Sequence, residues 1–314
     1  MPGSVPVSVP MTRESIVYVL AAGALSGALY LSLSHLGLMA MALAYFSSLP
    51  LLLIGLGHGA SSATLAIAVG LLLVGAVDGL FAGGAYLLSN GLPSGLLARQ
   101  LLRSRIAGEA VEWYPLGHAL MWLSALACAY VVAAFVIFIG SEGGLLGQIE
   151  EVLRTAMGVV VEDTGGAEGG AFIAASARTL PVIVAASWSI MIVVNAVVAQ
   201  GVLVRLGRNR RPSPTFRSIT LPRALVFPLA ITVVVALFPG TPGFLGTTLA
   251  AILAIPYFFL GLAVIHTISR GWPLRRAGLG VLYVVTILAG WPAALVVVLG
   301  VAEQWFGVRT RLES

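Results

Sequence analysis

The side chains able to bind metal or act as nucleophiles are few. There are four histidines, His35, His58, His118 and His266, and one cysteine, Cys128. A helical zinc site of the H-E-x-x-H kind needs two imidazoles one turn apart, so that both lone pairs meet one ion. No two of these histidines stand four residues apart. Paired cysteines, a Gly-x-Ser-x-Gly elbow and a phosphate-binding glycine loop are also missing from the sequence. His35 and His58 fall in expected turns, and His118 lies one turn before Trp122. With His266 they read as interface residues rather than ligands. Cys128 lies inside an apolar run and reads as an inert buried thiol with no intrachain partner. The residues give no reason to expect an enzyme, a metal or a cofactor.

Polar side chains inside apolar runs carry more information, because a polar group in hydrocarbon must find a partner. Asn195 and Gln200 stand in one such run, with Ser187, Trp188 and Ser189 nearer its other end; Asn90 stands in another, and Asp78 at a turn. Asp78, Asn90, Trp188 and Asn195 are the candidate substrate-binding group, and Asn90 and Asn195 could face one another across a bundle. The competing reading is ordinary interhelical hydrogen bonding, worth about 0.6 kcal/mol each.

The elements that must position these residues are membrane helices. The chain has 314 residues, 59% of them hydrophobic and only 9% charged, against about 25% charged in soluble domains. Too few polar groups remain to cover a soluble surface. A span needs roughly 20 apolar residues to cross about 30 Å. That rule marks Ser15–Ser34, Leu36–Leu56, Gly59–Val77, Gly79–Ala98, Pro115–Ile139 and Thr179–Val204, then Arg223–Phe238, Phe244–Ile268 and Ala277–Val301. As one helix Gly59–Ala98 would run about 60 Å, twice the hydrocarbon. Asp78 marks the turn, since an unpaired Asp at mid-bilayer costs roughly 3 kcal/mol. The expected fold is all-α, a polytopic bundle of nine transmembrane helices, with eight as the alternative because Arg223–Phe238 is short and carries Pro228. Ser15–Ser34 is too long for a signal h-region and reads as retained. The expected organisation is a cytoplasmic tail (1–14), a six-span membrane domain (15–206), an Arg-rich loop (207–222), three further spans (223–301) and a tail (302–314).

Arginine placement orients the bundle. With the N-terminus inside, 13 of the 17 arginines lie on the cytoplasmic side, and Arg154, Arg178, Arg309 and Arg311 outside. The stretch "VLVRLGRNRRPSPTFR" (202–217) then reads as a cytoplasmic anchor through Arg205, Arg208, Arg210 and Arg211, suited to anionic headgroups. Nucleic acid is not an expected partner, since Phe216 alone forms no stacking platform. "LLARQLLRSRIAGEAVEWYP" (96–115) places Leu97, Leu101, Leu102 and Ile106 on one face and predicts an interfacial helix. The outer segment 140–177 carries six acids, and its "LLGQIEEVLRTAMGVVVED" puts Leu146, Ile149, Leu153, Ala156 and Val160 on one face, with a Glu150–Arg154 pair. Glycine pairs at 143–144, 165–166 and 169–170 bracket it. It reads as a lid over an outward pocket, or as a helix resting on headgroups. In "AAGALSGA" the pairs Gly23/Gly27 and Ala24/Ala28 make a small-residue packing or partner face.

The stretch "FSSLPLLLIGLGHGASSATLAIAVGLLLVGAVDG" (46–79), with "GLPSGLLARQLLR" and "EWYPLG", resembles the YybS-like bacterial membrane proteins, a family of unknown function. That family is in turn distantly similar to the substrate-binding S components of energy-coupling-factor transporters. The resemblance implies a six-span unit in the bacterial inner membrane, closed by outer loops over a small-molecule ligand. It also implies an Ala-x-x-x-Ala face, matched by Ala24 and Ala28, that meets a transmembrane coupling subunit working with ATPases. The three further spans and the missing vitamin-specific ligand set depart from the S-component pattern. The expected role is therefore a small-molecule-binding or transport-related membrane component, and the alternative is a non-transporting scaffold or envelope-biogenesis protein.

Overall fold

A computed structural model describes residues 13–36, 40–163, 166–215 and 219–313. The expectations that rest on residues 1–12, Gly165, Phe216 and Arg217, and on the side chains of Val160, Glu162, Asp163 and Glu168, lie outside what it describes. The order is α1 (Arg13–Leu36), α2 (Met41–Tyr45), α3 (Ser48–His58), α4 (Ala60–Tyr86), a π-helical turn (Leu87–Gly91), α5 (Leu92–Leu101), β1 (Ser104–Ala107), β2 (Ala110–Trp113), α6 (Leu116–Phe138), α7 (Gly144–Asp163), α8 (Gly166–Arg205), α9 (Val226–Ala236), α10 (Gly240–Ile268), α11 (Arg275–Ala289), α12 (Pro292–Phe306) and α13 (Val308–Glu313). Among the described residues, six helical stretches are long and apolar enough to cross a membrane, or seven if α11 and α12 count as one bent span. The chain forms two compact units, residues 1–123 with 188–218, and residues 124–187 with 219–314.

In the first unit the stretch from Ala60 to Leu101 does not run straight. Gly79 leaves helical geometry with φ +89° and ψ 168°. A Cβ on Gly91 would lie 2.8 Å from Ile67 Cγ2, whereas 24 residues of straight helix span about 36 Å. The chain therefore folds back beside Asp78, and glycine supplies the positive φ this requires. Gly23 and Gly27 of α1 let its backbone close on α4: a Cβ on Gly23 would strike Ala66 O, and one on Gly27 would come within 3.3 Å of Gly70 O. Leu52, Leu56, Leu97, Leu123, Ile192 and Leu203 fill one core cluster, and Val19, Leu51, Ala66, Val74 and Tyr86 another.

The interfacial helix expected over 96–115 stops at Leu101. Residues 104–113 form an antiparallel hairpin with Ala107 opposite Ala110. Gly108, at φ +65°, takes the first central position of a two-residue turn, which a helix could not accommodate. The amphipathic helix of the outer segment is present as α7, but Glu150 and Arg154 are not an ion pair. Helix α8 already begins at Gly166 and continues through Pro181, so most of the expected outer loop is helical.

In the second unit α10 is the central helix, with Ile252, Tyr257, Leu260, Ala263 and Val264 buried. A Cβ on Gly261 would strike Val296 O and one on Gly300 would strike Tyr257 O, so α10 and α12 meet backbone to backbone. Helices α11 and α12 turn by 118° at Gly290. Each has 15 residues, about 22 Å and too short to span alone. Just beyond α12, Arg309 donates to the carbonyl of Ile219 at 3.0 Å, and Gln304 of α12 to that of Pro222 at 2.9 Å. The tail thus lies at the same end of this unit as residues 219–222. The single span expected over Ala277–Val301 is thus two short helices bent at Gly290, either a broken span or a re-entrant pair.

Candidate functional site

Two prolines of the first unit disturb backbone hydrogen bonding near mid-span. Pro50 follows the break between α2 and α3, where the Leu49 N–H bonds to Phe46 O at 3.0 Å instead of to Tyr45 O four residues back. Pro93 has no N–H to give the carbonyl of Ser89 and crowds it, and the helix widens to a π turn just before it. In hydrocarbon such carbonyls need donors. Helix α8 provides both. Asn195 donates from Nδ2 to Tyr45 O at 2.7 Å, and Trp188 from its indole to Ser89 O at 2.7 Å. Seven residues separate Asn195 and Trp188, two helical turns, so both stand on one face.

A chain of hydroxyls joins the two breaks. Ser47 and Ser48 donate to Asn90 Oδ1 at 2.6 and 2.8 Å, and Asn90 Nδ2 donates to Ser89 Oγ at 2.8 Å. Ser26 of α1 donates to Ser47 O at 2.6 Å and lies 2.8 Å from the Tyr86 hydroxyl. Three atoms nearby are buried without a partner: Asn195 Oδ1, Ser189 Oγ and Ser94 Oγ. Their residues are 1%, 1% and 0% exposed. Asn90 lies eleven residues beyond Gly79 and Asn195 ten before Arg205. At 1.5 Å per residue each is about 15 Å from its helix end, near the middle of a bilayer about 30 Å thick.

Of the four candidate binding residues, three are brought into this region. Asn90 and Asn195 do not bond to each other; the junction of α2 and α3 stands between them, bonded to both. Asp78 lies apart at the turn, where Ser34 donates to Oδ2 at 2.7 Å and His35 Nε2 lies 3.0 Å from Oδ1. The small-residue face divides: Gly23 and Gly27 are buried against α4, while Ala24 and Ala28 are exposed. The arginine anchor divides too. Arg205, Arg208 and Arg210 are exposed, but Arg211 is buried and donates to Leu101 O at 3.1 Å. Burial pushes the Arg211 guanidinium below its ordinary value. The sequence reading missed Ser26, Ser47, Ser48, Tyr86 and Ser89. The dipeptides Ser47-Ser48, three and two residues ahead of Pro50, and Ser89-Asn90, four and three ahead of Pro93, were the available signal.

Large apolar side chains point outward over much of the surface, Phe81 at 94% and Leu80 at 92% exposed among them, and a bilayer is what covers such a surface. These helices, their apolar exterior and their buried polar interior define a polytopic helical membrane protein in contact with lipid. The chain belongs to the family described as "Predicted membrane protein (DUF2232)", whose model matches residues 24–303. No curated protein and no solved structure matches it.

Proposed function

We propose that this protein is a transport-related component of the bacterial inner membrane that binds a small polar molecule within its first unit. The observation that carries this reading is the pair of proline-disturbed segments at mid-depth, met by one face of α8 and bordered by the unpartnered Asn195 Oδ1, Ser189 Oγ and Ser94 Oγ. Broken helices near the bilayer midplane recur at transporter binding sites, where irregular backbone faces a cavity or substrate. An unpartnered amide oxygen calls for a donor, so the ligand would carry hydroxyl or amine groups.

The resemblance to S components agrees with six crossings by the first six expected spans, counting the fold-back at Gly79 as two. In the second unit α10 adds a further span, α9 is shorter than a span, and α11–α12 would form a re-entrant pair. The exposed Ala24 and Ala28 support a lateral contact with a transmembrane coupling subunit, and its ATPases would supply the energy. No covalent chemistry is proposed.

The test is mass spectrometry of small molecules released from protein solubilised in mild detergent. A polar compound should be recovered from the wild type and lost from Asn195→Val. Reproducible recovery of none would sink the reading, and so would equal recovery from the variant. Pull-down of envelope-biogenesis proteins without coupling subunits would favour the scaffold alternative.

A further inference from the structure

We propose that the cleft beside the β-hairpin of the first unit is a binding site for a phosphate-bearing ligand. The cleft has a volume of about 500 Å³, and its walls include Arg103, Arg105, Glu112, Trp113, Tyr114 and His118. A volume in this range holds a small organic anion rather than water alone.

The hairpin fixes the two arginines. Residues two apart on a strand share a face, which puts Arg103 and Arg105 side by side. Tyr114 N donates to Arg103 O at 2.9 Å, extending the ladder by one residue. Arg105 and Glu112 face each other across the strands with a 2.6 Å contact, so Glu112 is neutralised and does not repel an anion. Arg103 is held differently. It donates to Gln100 Oε1 at 3.0 Å and lies over the Tyr114 ring at 5.8 Å. Both partners orient the guanidinium and neither cancels its charge. Among the described residues no carboxylate lies within ion-pair distance of Arg103.

Two further features point the same way. His118 forms part of the cleft wall with its ring set at 5.4 Å from Tyr114, its Nδ1 buried beneath that surface. The first turn of α6 opens there, with Pro115 and His118 both in the lining, so the positive end of a 23-residue helix faces the same space. Arg211 adds a second uncancelled cation behind Trp113, at 5.8 Å from its ring. A planar guanidinium held at the cleft with its charge uncancelled suits phosphate oxygens. The Trp113 and Tyr114 surfaces leave room for the glycerol, sugar or similar body that carries the phosphate. The shared chemistry is a phosphate ester, and its source is either a lipid headgroup or a soluble metabolite.

The experiment uses the full chain. Native mass spectrometry would count phosphatidylglycerol retained from nanodiscs of phosphatidylcholine with and without phosphatidylglycerol. Calorimetry in phosphatidylcholine nanodiscs alone would titrate glycerol 3-phosphate. Retention of phosphatidylglycerol without glycerol 3-phosphate binding assigns the lipid source, and the reverse assigns the soluble one. Arg103→Gln should weaken the wild-type interaction about tenfold, the effect of one lost charge-assisted contact. Arg105→Gln, at a side chain 80% exposed, should weaken it at least as much by leaving Glu112 unpaired in the cleft, and it serves if Arg103→Gln fails to fold. Arg178→Gln, at an exposed residue of α8 away from the hairpin, should leave it unchanged. Binding of neither probe by the wild type overturns the proposal, as does equal binding by all three variants.

Discussion

Trp188 gives its indole N–H to the carbonyl of Ser89 at 2.7 Å, across 99 residues of chain. That carbonyl sits four residues before Pro93, which has no N–H to return. A local defect in one helix is thus matched by a donor on another. Trp188→Phe keeps the ring and removes the donor. It should lower stability by about 0.6–1.7 kcal/mol, the range found for interhelical hydrogen bonds in membranes. Pro93→Ala should restore a helical donor and recover part of that loss, so the two changes should be non-additive in thermal unfolding in detergent. Full additivity would show that Pro93 does not govern the Ser89 carbonyl.

The small-residue face of α1 should respond position by position. A side chain at Gly23 meets Ala66 O and Val69, while Ala24 points outward. Gly23→Leu should destabilise by about 1–3 kcal/mol through overpacking. Ala24→Leu should leave unfolding unchanged and affect only a lateral partner. Equal melting shifts for the two variants would remove the distinction between an internal and an external half of the face.

Glu303 and Arg309 form a pair 2.7 Å apart, with side chains 7% and 13% exposed. Removing one partner strands a charge, and Glu303→Gln or Arg309→Met alone should cost about 3–5 kcal/mol. The double change Glu303→Met with Arg309→Met should cost much less, because no unpaired charge remains. A double-mutant cycle by thermal unfolding reads this directly.

The features that follow a simple period or a steep energy were legible in the sequence. The fold-back beside Asp78 follows from the length of an apolar run that no single span can hold, and α7 follows from its apolar stripe. The hairpin at 104–113 was not legible, because Leu97, Leu101, Leu102 and Ile106 fit a helical period while the turn at Gly108 rests on one residue. The polar interior was half legible. Asn90, Trp188 and Asn195 stand out as polar groups in hydrocarbon, but Trp188 and Asn195 bond to backbone carbonyls beside the Pro93 and Pro50 breaks, and Asn90 to the hydroxyls of Ser47, Ser48 and Ser89. Hydropathy records neither a freed carbonyl nor the helix that will serve it. Burial of Arg211 was hidden for the same reason: its charge suggests solvent, and its partner is the Leu101 carbonyl.

The tail offers the sharpest test of topology. Hydropathy favours one span over Ala277–Val301, which would carry Arg309 and Arg311 away from the Arg205–Arg223 loop. The contacts from Arg309 to Ile219 and from Gln304 to Pro222 hold the tail beside the end of that loop. Moving Arg309 and Arg311 to the loop side raises its share from 13 to 15 of the 17 arginines, which fits the positive-inside tendency better. A reporter fused after Ser314 should therefore give the same compartment as one inserted after Ser213, in the loop. Phosphatase and fluorescent fusions report opposite faces and check each other. Opposite compartments for the two positions would mean that α11 and α12 cross as one span and that the 118° bend at Gly290 opens in the bilayer.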